Sequence, residues 1–257
     1  MEVGDAAAAA TLIHVAPGPE TAVRCEGVAF DYGRLPVLRS ISFTLARGEM
    51  ACVVGPSGTG KTTLLRLIHA QLRPRAGELV VAGTALHRPR RGAVQRVRRR
   101  VGVVFQDYKL LQRLTALENV TYALRVADLR LSSREARGRA EIVLREVGLE
   151  ERMQARPWQL SGGQQQRVAI ARALAAGPAV LLADEPTASL DDDNAANISG
   201  LLERIAEAGT AVLVATCDRD LVGSARRRTL RLVNGELEDG PPPKGTASGV
   251  EMRCATL

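Results

Sequence analysis

The stretch that decides the fold is Met50-Ala-Cys-Val-Val-Gly-Pro-Ser-Gly-Thr-Gly-Lys-Thr62. Its first five residues form a short apolar run that predicts a buried strand, and a glycine-rich turn begins at Gly55. Residues Thr62–Leu72 follow with helical spacing, because three aliphatic side chains share one face. A strand, a glycine-rich turn and a helix in this order predict an α/β protein with a phosphate-binding loop.

The turn matches the motif G-x-x-x-x-G-K-[ST] at every fixed position. Its glycines let successive backbone N–H groups point at a phosphate, and the helix N-terminus adds the positive end of its dipole. Lys61 is expected to reach the β- and γ-phosphates of a nucleotide, and the Thr62 hydroxyl to ligate Mg²⁺. The predicted nucleotide-binding residues of this loop are Gly55, Pro56, Ser57, Gly58, Thr59, Gly60, Lys61, Thr62 and Thr63.

A pair of carboxylates follows the apolar run Val180-Leu-Leu-Ala183. A strand that ends in Asp184 places this carboxylate at the edge of the sheet where the phosphate loop lies. Asp184 is expected to hold Mg²⁺ through water, and Glu185 to orient or deprotonate the attacking water. Alone, an Asp-Glu pair at a strand end is often a helix-capping feature. Together with the phosphate loop, it favours a catalytic role.

A third motif, Leu160-Ser-Gly-Gly-Gln164, opens the predicted helix Gln164–Ala176. Small residues at a helix start form another anion cradle, so Ser161, Gly162, Gly163 and Gln164 are predicted to contact a nucleotide as well. One chain therefore carries two phosphate-binding helix ends that are far apart in sequence. Two copies arranged head to tail would let each of these motifs close on the nucleotide of the partner.

Composition disfavours several other classes of protein. Only 3% of the 257 residues are aromatic, which disfavours a stacking platform for single-stranded nucleic acid. The cysteines are widely separated and form no CxxC pair, which disfavours a zinc site or a disulfide framework and indicates a reducing, cytosolic setting. No stretch approaches the roughly 20 apolar residues that cross a bilayer, so we expect another molecule to hold the protein at any membrane. The four cysteines are Cys25, Cys52, Cys217 and Cys254.

The net charge of +7 is concentrated in an arginine-rich segment, residues 88–100. We interpret this segment as the solvated face of a helix ahead of a strand. Contact with a membrane surface or a partner is the second interpretation.

The remaining patterns predict a mostly parallel sheet covered by helices on both faces. Residues 1–20 and 239–257 are predicted to be flexible tails around one domain, 21–238. Further strands are predicted at Val101–Phe105, Ala179–Ala183, Ala211–Ala215 and Thr229–Glu238, the last with a turn at Asn234-Gly235, and helices between Leu117 and Gly148.

The motifs occur together and in order, and they resemble ABC-type ATPases from Thr21 to roughly Gly235. The resemblance implies a P-loop NTPase fold, with a RecA-like core, an antiparallel β subdomain and an α-helical signature subdomain inserted at about residues 107–163. It implies that Tyr32 stacks on adenine and that Gln106 senses Mg²⁺, contributes to catalysis and contacts a transmembrane partner. Ser189-Leu-Asp191 would link two active sites in an ATP-dependent homodimer that hydrolyses ATP with Mg²⁺.

One position departs from the family pattern. The family places a histidine that contacts the γ-phosphate after the strand that ends near Thr216, whereas this chain has Cys217. A thiol is a weak hydrogen-bond donor. Losing an oriented donor at such a site typically costs on the order of 10²–10³ in rate, so we expect ATP binding with slowed turnover. A degenerate ATP-binding scaffold is the alternative that depends on this cysteine.

The segment Val103–Leu111 and the residues around Asp184 are similar to the FtsE family of bacterial cell-division ATPases. That resemblance implies an FtsX-like integral membrane partner, control of cell-wall hydrolases and a location on the cytoplasmic face of the cell membrane. An ATPase subunit of a lipoprotein-releasing, macrolide-export or amino-acid transporter is the alternative. A soluble ABC protein acting on DNA or ribosomes is disfavoured, because the chain has one phosphate loop and one signature; no nucleic-acid partner is expected.

Overall fold

The structure is a computed structural model, and it describes residues 18–217 and 228–240. The strands are β1 (Thr21–Tyr32), β2 (Leu35–Ala46), β3 (Met50–Val54), β4 (Ala76–Val81), β5 (Thr84–Ala85), β6 (Val101–Val104), β7 (Val180–Asp184), β8 (Ala211–Thr216), β9 (Arg228–Val233) and β10 (Glu236–Gly240). The α-helices are α1 (Lys61–Ile68), α2 (Ala93–Arg100), α3 (Ala116–Ala127), α4 (Ser133–Glu146), α5 (Gly162–Leu174) and α6 (Asp192–Glu207). Two short 3₁₀ turns cover Glu150–Arg152 and Pro157–Gln159.

The strands of the described residues form two sheets. The larger sheet has the order β10-β9-β3-β8-β7-β6, and its strands are parallel apart from β10, which pairs with β9 in an antiparallel hairpin. The smaller sheet has the order β2-β1-β4-β5 and is antiparallel throughout. This confirms the predicted α/β class with an antiparallel β unit. Because parallel strands share a direction, the ends of β3, β7 and β8 meet at one edge of the large sheet.

Both faces of the large sheet are buried. On β3, Ala51 and Val53 pack with α1 and the antiparallel sheet, whereas Met50 and Cys52 pack with the helices of the other face. Strand β7 divides its side chains in the same way. Such continuous apolar strands are typical of parallel sheets with helices on both sides.

The helices α3, α4 and α5 pack against one another and are here called the helical unit, and a capping box opens each of them. In each box the hydroxyl of the Ser or Thr before the helix accepts a hydrogen bond from the backbone N–H of the residue three positions later. The Glu or Gln side chain of that later residue accepts a hydrogen bond from the backbone N–H of the Ser or Thr. Buried Asn119 ties the preceding segment to α3, since its amide oxygen accepts from Leu111 N at 2.8 Å. Helices α3 and α4 lie within the predicted helical insert.

Several element boundaries differ from those predicted. Helix α1 ends at Ile68 rather than Leu72, because Ala70 adopts a left-handed φ of 58°. Helix α5 begins at Gly162 and ends at Leu174, two residues before the predicted limits at each end. Strand β10 includes Asp239 and Gly240, which were predicted to lie in a tail. Arg228 Nε donates to Asp239 Oδ1 at 3.0 Å and holds the strand end in place.

The predicted tails lie mostly outside the described residues, which exclude 1–17 and 241–257. At the N-terminal boundary, the Glu20 carbonyl accepts a bond from Arg47 N at 2.7 Å. The arginine-rich segment includes α2, whose buried side chains are Ala93 and Val97. Its other face is exposed, which confirms the predicted solvated helix ahead of a strand. In the part of the chain that the structure describes, no helix is long and apolar enough to cross a membrane.

Candidate active site

The glycine-rich turn between β3 and α1 requires glycine for steric reasons at two positions. Gly60 has a φ of 106°, and a Cβ there would lie 2.9 Å from the side chain of Val37. At Gly55 a Cβ would lie only 2.4 Å from the Leu232 carbonyl oxygen of the neighbouring strand. The loop between these glycines exposes Pro56, Ser57 and Gly58. The backbone is therefore close-packed on its inner side and open on the side where a phosphate would bind.

Lys61 is the cation at the centre of this loop, and its side chain is buried. Its Nζ donates to the Gly55 carbonyl at 2.7 Å and to the Pro56 carbonyl at 3.2 Å. The Glu185 Oε1 atom lies 3.8 Å away. A buried ammonium group held mainly by neutral carbonyls is well suited to a phosphate, which would supply the stronger anionic partner.

Thr62 and Asp184 meet although they are 122 positions apart in sequence. The Thr62 hydroxyl donates to Asp184 Oδ1 at 3.1 Å. One hydroxyl and one carboxylate are hard oxygen ligands, and Mg²⁺ is usually bound by one or two carboxylates together with phosphate oxygens and water. The donor set fits Mg²⁺ bound with a nucleotide, and among the described residues no cluster of three His, Cys, Asp or Glu side chains offers another metal site.

Glu185 follows β7 with a left-handed φ of 46°, which is uncommon for a residue with a side chain. Its backbone N–H bonds to the Ala215 carbonyl at 2.8 Å. Its carboxylate accepts a bond from the Cys217 backbone N–H at 3.1 Å. Neighbouring strands thus place this carboxylate beside Lys61, and its role as the base for an attacking water stays a prediction.

Cys217 comes directly after β8, at the position predicted from the motif order. Its sulfur lies 3.7 Å from Glu185 Oε2, a contact at the weak end of hydrogen bonding because sulfur is a weak donor. The stronger hydrogen bond between Cys217 and Glu185 is therefore the one from the Cys217 backbone N–H.

Two other predicted site residues, Tyr32 and Gln106, lie at or just after the ends of strands. Tyr32 ends β1, is 44% exposed, and packs edge-on against Phe30 with ring centroids 4.9 Å apart. Gln106 is exposed just after β6. An exposed tyrosine ring is available to stack on a planar base. The roles of Tyr32 in adenine binding and of Gln106 in Mg²⁺ sensing stay predictions.

The signature motif opens α5 through Ser161, whose hydroxyl accepts from Gln164 N at 3.3 Å. Gly163 is packed against Asn194, because a Cβ on this glycine would lie 2.4 Å from Asn194 Oδ1. Asn194 in turn donates to the Asp191 carboxylate at 2.8 Å. The signature and the Ser189–Asp191 loop are therefore in contact within one chain. Asn194 was not predicted, because no local pattern marks a contact across this separation.

Comparisons with known proteins agree with this geometry. The family model described as ABC transporter matches residues 38–188. The cell division ATP-binding protein FtsE of Streptococcus pneumoniae is 44% identical over 200 residues, which cover 78% of this chain and 86% of that protein. The lipoprotein-releasing system ATP-binding protein LolD of Bordetella avium is 44% identical over 229 residues, which cover 86% of this chain and 97% of that protein.

A solved structure is similar over most of the chain. The dimeric ATP-binding cassette MJ0796, in a post-hydrolysis state bound to ADP and Pi, has a TM-score of 0.75 and 34% identity, covering 87% of this chain and all of that one. The chain belongs to the ABC transporter family and is an ATPase domain of that family. The predicted P-loop NTPase fold is confirmed.

We predict that kcat/KM for ATP falls with decreasing pH, with its acid limb above the usual range of a glutamate. Burial raises the pKa of Glu185, against the opposing effects of the Cys217 N–H and Lys61. Because the raised pKa lets the folded state bind the proton more readily, the free energy of unfolding should also decrease as pH rises through that pKa.

The measurement is a pH–rate profile, with ATP binding followed over the same pH range. That control separates protonation of a base from loss of substrate binding. An acid limb at or below the ordinary glutamate pKa would contradict the prediction.

Proposed function

We propose that this protein is the ATP-hydrolysing subunit of an FtsE/FtsX-like membrane complex that acts in cell division and in the control of cell-wall hydrolases. The convergence of Lys61, Thr62, Asp184 and Glu185 at one sheet edge carries the ATPase part of the proposal. The similarity to FtsE supports the particular role, and the similarity to LolD supports a lipoprotein-releasing transporter as the second candidate.

ATP would lie with its phosphates in the glycine-rich loop and its adenine near Tyr32. Lys61 would bind the β- and γ-phosphate oxygens, while Thr62 and Asp184 would hold Mg²⁺, which neutralises charge on the phosphates. A water oxygen attacks the γ-phosphorus, and Glu185 accepts a proton of that water. The bond between the γ-phosphorus and the oxygen that bridges the β- and γ-phosphates breaks. ADP and phosphate are the products.

The signature residues Ser161, Gly162, Gly163 and Gln164 would complete the site of the other protomer in a head-to-tail homodimer. The solved dimer of a similar cassette, bound to ADP and Pi, supports a homodimer. ATP between the protomers would draw them together, and hydrolysis would release them. In this cycle Cys217 leaves the γ-phosphate without the imidazole donor, so turnover is slow while ATP binding is retained.

A membrane partner would dock on the helical unit. Tyr122 and Val126 are one helical turn apart on α3 and are 57% and 60% exposed, and Leu129 just beyond the helix is 89% exposed. Exposed large apolar side chains at helical spacing are typical of a surface that another helix covers. Such a partner would hold the protein on the cytoplasmic face of the membrane.

The test is affinity purification of the tagged protein from native membranes, with identification of the integral membrane protein that co-purifies. We expect an FtsX-like protein, and recovery at least about tenfold lower for a Tyr122→Ser/Val126→Ser double variant, since burying each such side chain contributes about 1.5–3 kcal/mol. Leu35→Ser is the matched control, because Leu35 is 66% exposed on the antiparallel sheet.

A permease with a substrate pathway as the co-purifying protein would support the transporter alternative. Equal recovery with the double variant would place the partner on another surface. Recovery of DNA or ribosomes without a membrane protein would contradict the proposal.

A further inference from the structure

The segment after Gln106 has a costly backbone conformation. Tyr108 and Lys109 both adopt left-handed φ angles, 57° and 46°. Residues other than glycine and asparagine rarely adopt this backbone region. Two consecutive residues keep such a conformation only when contacts with the surrounding structure stabilise it. The structure shows what holds this pair.

Arg172 on α5 binds both residues through their backbone carbonyls. Its guanidinium donates to the Tyr108 carbonyl at 2.8 Å and to the Lys109 carbonyl at 2.5 Å. The fixed fork of an arginine suits two adjacent acceptors, which a lysine cannot match with a single ammonium group. Among the residues that the structure describes, no carboxylate forms an ion pair with Arg172, so its contact with this turn is its main polar interaction.

The side chain of Tyr108 extends the same connection to the signature. A Cβ placed on Gly162 would lie 3.3 Å from the Tyr108 hydroxyl oxygen and 3.4 Å from Leu190 Cδ2. The ring of Tyr108 is half-buried against the apolar cluster that the helical unit shares with one face of the large sheet. Helix α5 begins at the signature and carries Arg172 in its last turn. Both ends of α5 are therefore attached to the turn that follows Gln106.

We infer that Tyr108 and Arg172 are positioning residues that fasten the segment after Gln106 to the signature helix, so that the two move as one body. Neither residue contacts the phosphate loop through a bond in the described structure. Their effect reaches the reaction through the position of Gly162 and its neighbours, which complete the nucleotide site of the partner. This inference rests on the homodimer of the proposed function.

The test compares Arg172→Ala, Arg172→Lys and Tyr108→Ala with the unsubstituted chain. We expect Arg172→Ala to lower kcat about tenfold, since a hydrogen bond from a charged group is worth about this factor. Tyr108→Ala keeps the carbonyl that Arg172 binds but removes the ring beside Gly162, and we expect it to lower kcat as well. The Kd for ATP of the monomer should stay within about twofold. In a Glu185→Gln background, the ATP concentration needed for dimer formation should rise about tenfold. Arg172→Lys should recover part of each loss.

Arg167→Ala is the matched control, because Arg167 is also on α5 and also donates to a backbone carbonyl, that of Val147 at 3.2 Å. It should lower the melting temperature by a similar amount and leave kcat within about twofold, since it does not touch the turn after Gln106. This control separates loss of helix stability from loss of signature position.

Three results would overturn the inference: unchanged kcat and dimer formation in both alanine variants, equal weakening of ATP binding in the monomer, or the same loss of kcat with Arg167→Ala. The failure of the proposed function looks different. If Glu185→Gln itself forms no dimer with Mg-ATP, the dimer requires the membrane partner or does not form, and the kcat comparison still tests the role of Arg172.

Discussion

Glu185→Gln should lower kcat by a factor on the order of 10²–10⁴, the usual contribution of a general base. The amide cannot accept the proton of the attacking water, yet it retains an oxygen that can accept the bond from the Cys217 backbone N–H. Lys61, Thr62 and Asp184 are unchanged, so ATP and Mg²⁺ should still bind. With hydrolysis blocked, an ATP-bound dimer should accumulate, and size-exclusion chromatography with Mg-ATP would detect it.

Glu207→Gln provides the control for this variant. Glu207 is an exposed carboxylate at the end of α6, so the same chemical change there should leave kcat within about twofold. If Glu185→Gln hydrolysed ATP as fast as the unsubstituted chain, Glu185 would not be the base. If it stayed monomeric with saturating Mg-ATP, the dimer would require the membrane partner or would not form.

Cys217→His should raise kcat on the order of 10²-fold, with little change in the affinity for ATP. An imidazole at the end of β8 would supply the oriented donor that the sulfur lacks, and one such donor at a phosphoryl-transfer site contributes about 10²–10³ in rate. Steady-state ATPase assays with a reducing agent, which keeps the sulfur of the parent chain a thiol, give the comparison.

Cys217→Ser is the informative companion, because its hydroxyl is a better donor than a thiol but as short as the cysteine side chain. If the length of the side chain at position 217 limits the reaction, Cys217→Ser should change kcat far less than Cys217→His does. Equal rates for the histidine variant and the parent would show that the cysteine does not slow turnover.

The phosphate loop could be predicted almost completely from the sequence. Gly55 and Gly60 stand where a Cβ would collide with Leu232 or Val37, and their spacing from Lys61 is a local property of the chain. The buried strands could be predicted as well, because continuous apolar runs are typical of a parallel sheet. Element ends were less predictable: Ala70 ends α1 in a left-handed conformation, for which alanine gives no warning.

The contacts of the site beyond each motif depend on how the chain folds. Motif order favoured Asp184 as a metal ligand, but the hydrogen bond from Thr62 exists because β3, β8 and β7 are adjacent in the sheet. Glu185 meets Cys217 for the same reason, since both follow neighbouring strands. Strand order is not encoded in the periodicity of any one segment.

Residue type and spacing thus predicted the chemistry of each motif, because a phosphate loop, a strand-end carboxylate and a capped helix are built from neighbours in sequence. Two contacts could be found only in the folded chain: the hydrogen bonds from Arg172 to the carbonyls of Tyr108 and Lys109, and the packing of Asn194 against the signature. These contacts join segments whose proximity results from the packing of helices on a sheet, and packing is a property of the whole core rather than of a short pattern.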